Sequence, residues 1–294
     1  MGRRRPVAGA IGSVGALGIL VSVGMLLPAM PLRAQDAKAI VQQAVNAELE
    51  VSRTDRSRWR YRETEMDGSE YAVVETQDGE VKRHIKENGQ AAGAETLRKD
   101  DDYNQRFAHD KALQEKQRQA GLHDDRSATE LLNEMPVAFV WKLERETAEE
   151  FALSYQPNPD YSPPDMESRV MGQMAGTLVV SKPDHRIKTF KGKLTNDIEI
   201  GWGLLARIRQ GGTFDVERRQ VAPGKWAITE THVHISGHAL FFKTIGQQQD
   251  EVKMDFTPVP AGTTLEQALG MLNLPGAKGG CCAVATTKDA CCAR

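Results

Sequence analysis

The sequence predicts an α+β protein: a single large curved antiparallel sheet, an unclosed β-barrel, with an N-terminal helix and a helical insertion. Three observations lead there. One apolar stripe at helical spacing follows the leader, and the apolar period then falls to two for most of the remaining chain. The period-two runs are joined by turn signals, not by the helical crossovers that parallel strands require. A sheet of this size must curl, and its apolar face must be covered by helices or by a ligand.

The elements follow in order. Asp36 is placed to cap a helix running to about Val51, because Ile40, Val41, Ala44, Val45 and Leu49 fall on one stripe. Three period-two runs come next: Arg58 to Met66, Glu70 to Gln77 and Glu80 to Lys86. They are separated by Asp67-Gly68 and Asp78-Gly79, where glycine supplies the positive φ a tight hairpin needs. Trp59 and Tyr61 share one face of the first run.

The insertion covers about 95–135. Glu95 to Gln119 is polar almost throughout and reads as an exposed helical excursion, with Gly121 as its stop. Ser127 to Met135 fits a second short helix, with the spacing of a capping box at Ser127 and Glu130 and with Leu131, Leu132 and Met135 to dock it. Strands resume at Pro136. Val137, Phe139, Trp141 and Leu143 alternate on one face, and Phe151, Leu153 and Tyr155 do the same after a turn near Ala148. The proline-rich stretch from Gln156 to Asp165 is a long loop, since proline lacks the donor and fixes φ. Further strands fit Gly176 to Ser181, Arg186 to Leu194, Ile198 to Arg209, Thr213 to Gln220, Lys225 to Ile235, His238 to Ile245 and Glu251 to Phe256. Pro258 and Pro260 end the sheet.

Both ends of the chain differ from this body. Arg3, Arg4 and Arg5, an apolar run from Val7 to Leu27 and a small-residue exit at Ala34 give residues 1–34 the order of a secretion signal. The alternative is an uncleaved anchor, against which Pro28 and Pro31 interrupt the run. Cleavage places the protein in the periplasm or outside the cell. The leader takes four of the 38 basic residues with it, so 34 bases face 40 acids and the formal charge becomes −6. An acidic chain of this kind is a poor nucleic-acid binder. Residues 36–260 form the folded body. All four cysteines, Cys281, Cys282, Cys291 and Cys292, lie in a disordered tail over 274–294, so neither bridges nor thiolate sites are expected to hold the body.

Local catalytic motifs are missing: the chain has no G-x-S-x-G elbow, H-E-x-x-H, P-loop or dinucleotide fingerprint. The histidine-rich run Thr231-His232-Val233-His234 deserves comparison with a metal site. On one continuous strand His232, His234 and His238 share a face, but Ser236-Gly237 reads as a hairpin turn that pairs Ile235 with His238. That leaves two imidazoles, too few for a tight site unless neighbouring acids join them. Neither a metal nor a cofactor is therefore expected. Under the same pairing Val233, Ile235, Leu240 and Phe242 share an apolar face. With Trp59, Tyr61, Phe139, Trp141 and Phe151 they are the candidate lining of a ligand face.

The helix before a meander, then Gly176-Thr177-Leu178-Val179-Val180 and the Pro183-Asp184 turn into Arg186-Ile187-Lys188, resembles the outer-membrane lipoprotein carrier superfamily. Trp226 to His234 and Gly237 to Lys243 resemble strands of its uncharacterised secreted relatives. The superfamily includes a carrier, a receptor and a sensor. The resemblance implies a half-barrel over about Asp36 to Val259, lidded by helices, that binds acyl chains or lipoprotein without catalysis. Its implied contacts are transient ones with a membrane or envelope protein. An envelope sensor or scaffold that binds protein partners is the second reading. A metal-dependent hydrolase using His232 and His234 is the third.

Overall fold

The computed structural model describes residues 37–200, 206–239 and 243–273. The leader, the Asp36 cap, Leu240, Phe242 and the cysteine tail lie outside the described residues. Helix α1 (Ala37–Thr54) buries the expected stripe of Ile40, Val41, Ala44, Val45 and Leu49. Glu48 belongs to the same stripe and is also buried. Its carboxylate accepts from Arg186 Nε at 3.0 Å and Nη2 at 2.9 Å, from the Ile187 amide at 2.9 Å, and from Arg218 Nη1. Burial works to raise the Glu48 carboxyl, but these bonds and the two guanidinium charges carry it below its ordinary value.

Strands β1 (Trp59–Glu65), β2 (Glu70–Glu75) and β3 (Glu80–Glu87) form the expected meander. Gly68 and Gly79 sit at its turns with φ of 80° and 139°. The short β4 (Gln90–Ala91) precedes helices α2 (Ala94–His109) and α3 (Lys111–Ala138). Here the structure corrects the expected insertion. Helix α2 is docked, with Asn104, Phe107 and Ala108 buried, because three inward residues are enough to seat an otherwise polar helix. It covers the outer side of β3, where Asp100 accepts from the His84 amide and Asn104 donates to the Lys82 carbonyl.

The break between helices falls at Asp110, whose side chain accepts from the amides of Ala112 and Leu113, and Gly121 does not stop α3. Ser127 is accordingly interior to the helix and not a cap. Helix α3 also continues through Pro136, so strand β5 (Phe139–Glu146) starts later than expected and Val137 remains helical. Burial of Met135, Pro136 and Ala138 outweighs the one backbone bond that proline removes. Helix α3 is tied down at both ends. Gln117 brackets the Glu80 backbone near its start, while Leu131, Leu132 and Met135 pack near its end; residues 118–126 are exposed.

Strand β6 (Glu150–Pro157) leads through the proline-rich loop into a short helix, α4 (Met166–Met171), that the period-two reading did not show. Strands β7 (Met174–Ser181) and β8 (Ile187–Leu194) follow as expected. The expected strand over 198–209 is instead two pieces, β9 (Ile198–Ile200) and β10 (Ala206–Ile208), paired antiparallel with each other. Strand β11 (Thr213–Ala222) precedes the long β12 (Lys225–Ala239) and β13 (Lys243–Pro258). The hairpin expected at Ser236-Gly237 does not form there. Gly237 stays in the ladder opposite Ile208 and Ile245, and a Cβ on it would lie 2.4 Å from the Arg207 carbonyl oxygen. That glycine serves close strand approach, not a turn. Helix α5 (Leu265–Leu272) closes the described chain with a Thr264/Gln267 capping box.

All pairings are antiparallel. The 13-stranded sheet runs β4-β3-β2-β1-β13-β12-β11-β8-β7-β6-β5, with the β9–β10 hairpin attached to β12. Strands β4 and β5 are its edges and do not meet, so the sheet is not closed into a barrel. Register shows that its two apolar cores lie on opposite faces. One row of directly opposed residues reads Trp141, Tyr155, Gly176, Gly192, Phe214, Val233 and Gln249, from β5 to β13. That face carries α1 and the end of α3 over the larger core. Followed across β13 it reaches Glu63, Tyr61, Val73 and Lys82. Ala72, Val74 and Val81 point to the other face, where Phe107 of α2 and Leu265, Ala268 and Leu272 of α5 cover them.

Replacing Glu48 with Gln leaves the buried Arg186 and the half-buried Arg218 without their carboxylate, and we expect a loss of ~3–5 kcal/mol in urea unfolding. The folded Glu48 carboxyl lies below its unfolded value. Its stabilisation is therefore present above the unfolded value, is lost as pH falls through the folded one, and is absent from the variant. Gly121 sits in an exposed helix interior with nothing near its missing Cβ. Gly121→Ala is expected to stabilise the protein by ~0.5–1 kcal/mol, read in the same experiment.

Candidate functional site

The face that carries α1 is covered closely over β6 and the start of β5 and less completely over β8, β11 and β12. The closely covered part is an ordinary core. Phe139 and Phe151 are each 3% exposed, and Trp141 packs beside them with Nε1 donating to the Met135 carbonyl. An aromatic chain leaves this core. Phe139, Trp141 and Tyr155 contact one another, Tyr155 meets Phe190 at 5.3 Å between centroids, and Phe190 meets Phe214 at 5.3 Å. Glycine makes its path. A Cβ on Gly192 would lie 2.3 Å from the Tyr155 hydroxyl, which donates to the Lys191 carbonyl across the space that Gly176 and Gly192 leave.

Beyond Phe190 the chain opens into an apolar groove of about 550 Å³. Phe190, Phe214, Val233 and Ile235 make its floor, with Ile208 and Met174 at its sides. Leu131 of α3 and Met166, Val170 and Met171 of α4 form the wall. Its polar lining is confined to Glu167, Thr231 and Gln249. Helix α4 holds its wall position because Asp165 caps it, accepting from the Ser168 amide at 2.7 Å. A volume of this size is typical of small-molecule pockets.

The candidate lining residues thus separate into groups. Val233 and Ile235 line the groove. Phe139, Trp141 and Phe151 lie in or against the core beside it, and Leu240 and Phe242 are outside the described residues. Trp59 and Tyr61 lie elsewhere, both against Phe256, at 6.2 Å and 5.2 Å between centroids. Sequence reasoning missed the α4 wall and the Phe190–Phe214 floor. Two local signals were available: Asp165 as a cap before Met166, Val170 and Met171, and Phe190 and Phe214 as inward positions of their strands.

On the same face the groove ends at charge. Gln249 is followed at period two by Glu251 and Lys253, opposed by Glu65 and Glu63. Glu63 lies 3.6 Å from Lys82 and 3.7 Å from Lys253, and the Tyr61 hydroxyl donates to Glu80 at 3.3 Å. Burial, helped by Glu251, raises the Glu63 carboxyl. Burial also raises Glu75 and Glu80, and it raises the Tyr61 phenol, to which nearby carboxylates add. Burial opposes the charge on Lys253, but Glu251, Glu63 and Glu80 together hold its ammonium above the ordinary value.

The histidines lie on the opposite face of β12. His232 Nδ1 and His234 Nε2 both meet Asp250 Oδ1, at 2.6 Å and 2.8 Å. Because β12 continues to Ala239, His238 falls four residues further along the strand, ~13 Å from His234 at the usual rise. Among the described residues, no group of three or more His, Cys, Asp or Glu is arranged to hold a metal ion. No helix among them is long and apolar enough to cross a membrane. Comparison with family models, curated proteins and solved structures finds no match to this chain.

The raised carboxyls give a directional pH effect. A carboxyl whose folded value lies above its unfolded one contributes fully below the unfolded value and loses that contribution as pH rises through the folded one. Glu80→Gln is therefore expected to raise the melting temperature over the parent near pH 8 and to leave it unchanged near pH 4, close to the unfolded carboxyl value. Thermal unfolding at the two pH values reads the difference. A uniform shift at both would mean that Glu80 matters through packing alone.

Proposed function

We propose that this protein is a lipid- or lipoprotein-binding, carrier-like protein of the cell envelope that acts without catalysis. The observation that supports the reading is the groove of about 550 Å³, floored by Phe190, Phe214, Val233 and Ile235 and walled by methionines and aliphatic side chains. Such a surface offers an acyl chain ~0.8 kcal/mol for each methylene it shields. Methionine suits the wall, since an unbranched thioether adapts to chains of different shape. The resemblance to the outer-membrane lipoprotein carrier superfamily points the same way. The signal-like order of residues 1–34 supports a periplasmic or secreted location. Delivery of an acyl chain calls for transient contact with a membrane or an envelope protein.

Native mass spectrometry of the protein, with organic extraction of whatever it carries, tests the reading. The parent is expected to release acyl lipid and to take up a fluorescent fatty acid. Ile235 lines the groove and is only partly buried, so Ile235→Asp leaves its carboxylate able to reach water. That variant should remain folded and lose at least ~10-fold in fatty-acid affinity, about 1.4 kcal/mol. Phe139→Asp places an unpaired carboxylate in a closed core and should unfold the domain. A parent protein that yields no lipid and takes up no fatty acid would replace this reading with that of a protein-binding scaffold.

A further inference from the structure

A second pocket, of about 320 Å³, lies where four chain connections meet at one end of the sheet. They are the link from α1 to β1, the β2–β3 turn, the β11–β12 turn and the link from β13 to α5. It shares no lining residue with the apolar groove. Its charged lining consists of Asp55, Arg56, Arg58 and Lys225. Asp55 Oδ1 accepts from the Ser57 amide at 2.8 Å and from Lys225 Nζ at 2.9 Å, so the acid and the lysine neutralise each other. Burial opposes the charge on Asp55, yet these bonds bring its carboxyl down to about 2.

The two arginines are left. Arg58 Nε donates to the Thr76 carbonyl at 3.0 Å and Nη1 to the Ser57 carbonyl at 3.1 Å, contacts that orient the guanidinium without cancelling its charge. Arg56 reaches only the carbonyls of Ser52 and Asp55, each at 3.4 Å. Elsewhere in the sheet Arg62, Arg83, Arg186 and Arg219 each bond a carboxylate. Glu75 lies outside this lining; its Oε2 accepts from the Trp59 amide, and burial raises its carboxyl although the Arg58 charge acts against that. Two guanidinium groups thus face one polar pocket, and among the described residues no carboxylate is hydrogen-bonded to either.

We propose that this pocket binds a phosphate group, free or carried on a lipid headgroup, between Arg56 and Arg58. The planar fork of arginine matches phosphate oxygens in a way that lysine does not, and charge-assisted bonds of this kind are among the strongest available to a surface site. The volume exceeds that of one phosphate, which leaves room for an ester substituent.

Isothermal titration with inorganic phosphate in low salt tests the proposal on the full folded protein. The parent should bind one phosphate per chain, weakening as salt rises. Arg56→Gln, whose native contacts are long and exposed, should stay folded by circular dichroism and bind ~10-fold more weakly or worse, and Arg56→Gln/Arg58→Gln should not bind. Arg219→Gln, at a paired arginine outside the pocket, should bind as the parent does. A second arm uses flotation with vesicles of phosphatidylcholine and phosphatidylglycerol against phosphatidylcholine alone. Arg56-dependent capture by the mixed vesicles, with weak binding of free phosphate, identifies the headgroup as the source. Absence of binding in both arms, or binding that Arg56→Gln does not weaken, overturns the proposal.

Discussion

The buried carboxylate of Glu48 is the constraint on which the rest of this architecture depends. Arg186 closes on it through two nitrogens, Ile187 through its amide and Arg218 through a third guanidinium contact. One side chain of α1 thereby fixes the helix to β8 and β11 together, just beyond the end of the ladder that joins them. The groove floor begins three residues further along β8, at Phe190, and four residues back along β11, at Phe214. At the rise of a strand those steps are ~10–13 Å, about the diameter of a helix, so the anchored helix stops short of them. The same ion cluster that seats α1 thus defines where its cover ends. A buried pair of this kind is not by itself a large net stabiliser. Its contribution here is position.

A second organising fact is that one face of the sheet changes character along its hydrogen-bonding direction. From β5 to β12 the inward row is aromatic, aliphatic or glycine; at β13 it becomes Gln249, then Glu251 and Lys253, and at β1 and β3 it is Glu63 and Lys82. Ala72 and Val74 of β2 and Val81 of β3 turn to the other side, under α2 and α5, while Val73 stays on this face. Antiparallel register makes this possible because each strand chooses which parity is apolar, and neighbouring strands need not agree. The consequence is an apolar groove with a polar boundary at Gln249, on a single unbroken sheet.

What was legible in the sequence was local. The α1 stripe, the Asp-Gly turns and the period-two strands needed only neighbouring residues, and their outcome was an open antiparallel α+β fold. Glu48 was silent because its partners lie 138 and 170 residues away, so no window along the chain contains both. Gly121 and Ser236-Gly237 read as punctuation in the sequence and are not, each for a different reason. In α3 the cost of a glycine is ~1 kcal/mol, and docked ends on both sides carry the helix through. In β12 the glycine answers the approach of Arg207, which a pattern of apolar residues does not record. The short helices α4 and α5 were legible only as caps, at Asp165 and Thr264, since neither is long enough to display a period.

The exposed middle of α3 has a topological meaning. The chain before it supplies β1 to β4 and α2, and the chain after it returns at its far end to place β13 directly beside β1. The two portions are therefore joined by a covalent link through 118–126, by a ladder in the centre of the sheet, and by helices packed across the divide, α1 on β8 and β11 through Glu48 and α5 on β2 and β3. The covalent link is exposed along its whole length. Strand register and the packing of α1 and α5 thus specify how the two portions meet, apart from the exposed link that connects them.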